Sequence, residues 1–98
     1  MKSVRIDYTI REGVEPSEVT SAIEAFVAGI RAHHPEHRYT SYRHSKDPRR
    51  FTHVGDLVEQ VLPDLQAQPF FTRFSAFLRE RCETGPDVTW MVTVASAR

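Results

Sequence analysis

Apolar residues recur at every second position near both ends of the chain and at every third or fourth position between them. This change of period constrains the fold more than any single residue does. Val4, Ile6, Tyr8 and Ile10 alternate with Arg5, Asp7, Thr9 and Arg11, the pattern of a strand with one buried face. Glu12-Gly13-Val14-Glu15-Pro16 breaks that pattern. From Ser17 the spacing turns helical: Val19, Ala22, Ile23, Phe26 and Ile30 form one stripe, with Glu18, Glu24 and Arg31 away from it. Ser17 suits the N-cap position, and Pro35 marks the end, because proline pushes its predecessor out of helical geometry.

The middle of the chain reads as a hairpin over residues 38–55. Arg38 to His44 is β-prone, Ser45-Lys46-Asp47-Pro48 is turn chemistry, and Phe51 to Val54 returns as a strand. Asp56 with Glu59 three residues on suits a helix start, and Leu57, Val58, Val61, Leu62 and Leu65 keep helical spacing, with Pro63 making that helix short or kinked. Pro69 opens a further helix whose apolar face holds Phe70, Phe74, Phe77 and Leu78, and Gly85-Pro86 is read as its stop. Val88, Trp90, Val92 and Val94 then alternate as a last strand. The order βαββαβ predicts an α+β, ferredoxin-like domain over residues 1–98, with an antiparallel sheet carrying its helices on one face. The other face is left open, and packing it against a second copy is the expected use.

Composition removes several function classes. Thirteen basic residues balance thirteen acidic ones along 98 residues, so the footprint of a nucleic-acid binder is missing. A lone cysteine, Cys82, forms no intramolecular disulfide and no zinc motif. No apolar run has the roughly 20 residues of a membrane span, and Met1-Lys2-Ser3-Val4-Arg5 does not resemble a signal peptide. A cytoplasmic protein with no membrane and no nucleic-acid partner is expected.

The hairpin Tyr39-Thr-Ser-Tyr42-Arg43, followed by Asp47-Pro48, Phe51, an acidic helix and Pro69-Phe70-Phe71-x-x-Phe74, resembles the antibiotic-biosynthesis monooxygenase-like family of dimeric α+β barrels. The likeness spans nearly the whole chain and lies in order and spacing. It implies a homodimer whose sheets pack into a barrel, with a cavity between sheet and helices in each subunit. It also implies oxygenation of a small aromatic or quinol-like compound without metal or flavin, so no cofactor is expected. Many family members carry a Trp after the third strand and a His in the second helical region. Here those stretches read Val54-Gly55-Asp56-Leu57 and Asp64-Leu65-Gln66-Ala67-Gln68-Pro69. The haem-degrading relatives use an Asn, and this chain contains none. The rival reading is a non-catalytic barrel that binds a small hydrophobic ligand or serves as an accessory protein.

Two residues are candidates for proton transfer. His53 lies mid-strand on the face of Phe51, where an imidazole in an apolar pocket has a pKa useful for taking a phenolic proton. Tyr8 lies on the apolar face of the first strand and can place a hydroxyl beside a substrate oxygen. Phe26, Phe70, Phe71 and Phe74 from the helices, Trp90 from the last strand and Tyr42 from the hairpin are the expected ligand-lining set. His33-His34-Pro35-Glu36-His37 lacks metal-ligand spacing, because Pro35 interrupts the helix, and no metal site is expected. Arg43 and Arg73 are the cations considered for a pocket mouth, while Arg79 and Arg81 read as solvated charges.

Overall fold

The computed structural model describes residues 2–97. Its elements are β1 (Lys2–Ile10), α1 (Pro16–His33), β2 (Arg38–Arg43), β3 (Arg50–Leu57), α2 (Leu62–Gln66), α3 (Pro69–Arg81) and β4 (Cys82–Met91). The strands form one antiparallel sheet in the order β2-β3-β1-β4, the ferredoxin-like arrangement that the periodicities predict. No helix among the described residues is long and apolar enough to cross a membrane.

The core lies between the helices and one face of the sheet. Val4 and Tyr8 of β1 and Phe51 and Leu57 of β3 meet Val19, Ile23, Phe26 and Ile30 of α1 and Phe74 and Leu78 of α3. Each α1 residue in that set recurs at three or four positions, so one stripe buries against the sheet while the charged residues stay outside.

Four boundaries differ from the sequence reading. The N-cap of helix α1 lies two residues before Ser17: Glu15 occupies it and makes no side-chain cap, Pro16 fills the first turn, and Ser17 is already helical. The Glu18 N–H, which a capping side chain would otherwise take, bonds the Glu15 backbone carbonyl at 3.1 Å, and Pro16 has no N–H to leave unpaired. Strand β3 runs through Asp56 to Leu57, where a helix start was expected, because Lys2, Ser3 and Val4 pair with Leu57, Asp56 and Gly55. Asp56 thus accepts a hydrogen bond from Ser3 Oγ at 2.8 Å instead of capping a helix.

Gly85-Pro86 lies inside β4 and does not end the helix; α3 stops at Arg81 and the strand begins at once at Cys82. Proline is tolerated because β4 is an edge strand, and the pairing with β1 shifts register between Asp7 and Ile10. Gly85 sits at φ +86°, and a Cβ there would lie 2.6 Å from the Asp7 carbonyl oxygen, so the bulged stretch requires glycine. At the other end the strand stops at Met91, leaving Val92 and Val94 outside it and exposed.

The uncovered face of the sheet is more polar than expected. Asp7 accepts from Arg5 Nε at 2.9 Å and from Thr52 Oγ1 at 2.7 Å, and Thr52 Oγ1 lies 3.1 Å from His44 Nε2. Tyr42, Val54 and Met91 are its exposed apolar members.

Candidate active site

A cavity of about 340 Å³ opens between the sheet and the helices. Its floor is buried and apolar, with Phe26, Ile30, Phe74 and Leu78 from the helices and Val4 and Leu57 from the strands. Its mouth lies along β4, where Val88 is 54% and Trp90 51% exposed although both line the cavity. Edge strand β4 is therefore the part of the sheet that the helices leave uncovered.

One polar group interrupts the floor. His53 lines the cavity yet is only 1% exposed, and its two ring nitrogens are held from both sides. Tyr8 Oη lies 2.8 Å from Nε2, and Tyr39 Oη lies 2.8 Å from Nδ1, with Ser41 Oγ at 3.2 Å from the same nitrogen. The sheet register builds this arrangement. Ser41 and Ile6 flank His53 directly, Tyr8 stands opposite Phe51 and Tyr39 opposite Gly55, so the tyrosines reach the imidazole along opposite diagonals. Gly55 makes room for one of them: a Cβ there would come within 3.0 Å of the Tyr39 ring.

Burial sets the protonation states. It pulls the His53 pKa down to about 4, and it pushes the Tyr8 and Tyr39 hydroxyls well above their ordinary value. All three groups are therefore neutral near pH 7. A neutral imidazole carries one N–H, so one nitrogen donates to a phenol oxygen and the other accepts from a phenol O–H. Tyr39 also lines the cavity, and this places a phenol in line with a proton acceptor at the cavity wall.

The structure distributes the sequence candidates unevenly. His53, Phe26, Phe71, Phe74 and Trp90 line the cavity. Tyr8 stands behind His53, stacked on Phe51 with ring centroids 5.5 Å apart, and reaches the cavity only through the imidazole. Tyr42 is a correction: it projects from the opposite face of the sheet and is 55% exposed, since residues 40 and 42 of β2 alternate away from Tyr39 and Ser41. Phe70 is another, because its ring packs on α1 at Gly29, between the helices and outside the cavity. Tyr39 was missed, although parity signals it: once Arg43 faces Phe51, Tyr39 shares a face with His53.

The histidine cluster after α1 has structural partners. His34 lies 3.0 Å from Glu36 and 2.8 Å from Asp64, joining the end of α1 to α2, and hydrogen bonding to Asp64 raises its pKa. His37 Nδ1 accepts the Val58 backbone N–H at 2.9 Å. Cys82 caps the end of α3, and burial pushes its thiol up, away from nucleophilic character.

No protein-family model matches the sequence, and no curated protein matches it. Solved structures do match it over almost its full length. An antibiotic biosynthesis monooxygenase superposes with a TM-score of 0.83 over 97% of this chain and 100% of that one, at 21% identity. SnoaB, a cofactor-independent oxygenase from Streptomyces nogalater, gives 0.79 over 98% and 95% at 16% identity. The fold is that of the antibiotic biosynthesis monooxygenases. A Pseudomonas aeruginosa protein, with a TM-score of 0.81 over 96% of this chain and 94% of its own at 18% identity, shares it as well. At these identities the likeness is one of fold.

Proposed function

We propose that this chain is a cofactor-independent monooxygenase acting on a small aromatic, quinol-like compound. The observation that carries the reading is the neutral Tyr8-His53-Tyr39 chain set into the wall of an otherwise apolar cavity. A volume of about 340 Å³ lies at the low end of ligand pockets, roughly 300 to 1,000 Å³, and suits two or three fused rings between Phe26, Phe74 and Trp90.

In this reading the substrate O–H or activated C–H gives its proton to Tyr39 Oη while the Tyr39 proton passes to His53 Nδ1. Tyr39 remains neutral, and Tyr8 accepts the Nε2 proton as a hydrogen bond. The imidazolium and the substrate anion form a pair, which offsets the burial that disfavours either charge alone. The anion transfers one electron to O2, and the two radicals combine to a peroxide that is protonated by His53. Loss of the remaining C–H proton and cleavage of the O–O bond leave a ketone and water. The carbon thus changes from CH2 to C=O, giving up four electrons, and O2 takes all four. The dry floor protects the anion and the peroxide from water.

The working unit we propose is a homodimer formed through the uncovered sheet face, where Tyr42, Val54 and Met91 are exposed. Sedimentation should give twice the 11.3 kDa chain mass at micromolar concentration. A species of the single-chain mass there removes the dimer.

The functional test is oxygen consumption with anthrones and dihydroxynaphthalenes, measured over the autoxidation of each compound alone. Uptake of one O2 per ketone formed supports the reading. Binding without uptake across the panel overturns it in favour of the non-catalytic ligand-binding barrel.

A further inference from the structure

We infer that the ligand of the cavity is an aromatic compound carrying a carboxylate, and that Arg79 binds this anion at the mouth. The inference rests on the reading of the cavity as a substrate site and names the class of compound that enters it. Among the described residues Arg79 is the one charged side chain lining the cavity, His53 being neutral, and no Asp or Glu lines it. It is also unpaired. Arg81, two residues on, holds Glu18 at 2.9 Å and lies over the Phe77 ring, and Arg49 bonds the Ile10 carbonyl and approaches Glu83, whereas Arg79 makes no ion pair or hydrogen bond among the described residues.

The surroundings suit an anion. Gln66, exposed like Arg79, also lines the cavity and offers an amide donor. Arginine near the end of α3 also complements the helix dipole. The dipole accounts for a cation in the last turn, but Glu80 and Arg81 occupy that turn without lining the cavity. A planar guanidinium at the edge of an apolar slot fits a carboxylate in the plane of an aromatic ring, held by paired N–H donors. The ring then lies against Trp90 and Phe74, with its far edge toward Tyr39 and His53.

The test compares two compounds that differ by the carboxylate, a hydroxynaphthoate and the parent naphthol, by titration calorimetry and by the fluorescence of Trp90, the chain's one tryptophan. Neither measurement requires turnover. The hydroxynaphthoate is expected to bind about tenfold more tightly at low salt, the scale of one partly solvated charge-assisted contact, with the preference shrinking as salt rises. Arg79→Gln should abolish the preference while leaving naphthol affinity and the melting temperature unchanged, and Arg79→Lys should keep part of it. Equal affinity for the two compounds, or a preference that survives in Arg79→Gln, overturns the inference and leaves the cavity reading standing. Binding of neither compound overturns both.

Discussion

His53→Phe is expected to remove turnover, a loss of the order of 10² to 10⁴ for taking away a positioned proton acceptor. The same change lowers stability. Phenylalanine fills the space of the imidazole but leaves the Tyr8 and Tyr39 hydroxyls without their 2.8 Å partner, at a cost of about 1 to 3 kcal/mol for each buried orphan. Tyr39→Phe separates the two effects. It keeps the ring, leaves Ser41 Oγ at 3.2 Å from Nδ1, and should cost only about 1 kcal/mol in a urea melt while still lowering kcat by about 10² or more. A Tyr39→Phe enzyme that turns over at the parent rate would show that protons do not travel through this phenol.

The pH dependence of stability gives the same residue a second signature. Burial lowers the His53 pKa from 6.5 to about 4, so between those values the unfolded chain takes up a proton that the folded chain refuses. Stability contributed by keeping His53 neutral is present above pH 6.5 and is lost as pH falls toward 4, roughly 3 kcal/mol in all. His37, also lowered by burial, acts in the same direction. His34 acts oppositely: its raised pKa stabilises the fold below its unfolded value, and this is lost as pH rises through the folded one. Urea melts of His53→Phe should therefore show a flatter acid limb, with the contribution of His37 remaining. An unchanged limb would mean that His53 is not the buried neutral group.

Periodicity exposed the strand and helix order because each element buries one face, and burial leaves a repeat that alternation or helical spacing reveals. It separated Tyr8 and His53 from the polar neighbours on their strands for the same reason. The misplacements arose where pairing overrode local signals. Asp56 and Glu59 carry the spacing of a helix start, yet residues 55–57 are held in the sheet by residues 2–4 of a strand fifty positions away. Gly85-Pro86 reads as a stop in any local window, and only the edge position of β4 permits it inside a strand. Local pattern does not choose between Tyr42 and Tyr39, because the hairpin register is a tertiary fact: Arg43 facing Phe51 decides which tyrosine shares the face of His53. Arg79 reads as a solvated charge from sequence for a related reason. A cation at helical spacing reads as solvated until the mouth of the cavity is known to open on that side of α3.

Phe26→Ala is the core substitution expected to cost most, about 3 to 5 kcal/mol. The Phe26 ring is 5% exposed, stacks on Phe74 with centroids 4.2 Å apart, and meets the Tyr39 edge at 5.5 Å. It therefore joins α1, α3 and β2 at one point. For a domain of this size each kcal/mol moves Tm by about 4 to 8 °C, so a fall of roughly 15 to 30 °C is expected in a calorimetric scan. Phe70→Ala should fall well short of that, because Phe70 is only partly buried and lies outside the cavity. The comparison tests the site as well as the core. Losing Phe26 removes the edge contact that holds the Tyr39 ring beside His53, so kcat should drop in the folded variant, measured well below its Tm, whereas Phe70→Ala should leave kcat near the parent value. A Phe26→Ala protein that loses less than about 1 kcal/mol would mean that Phe74 and Tyr39 close over the gap, and that the cavity floor can repack around its ligand.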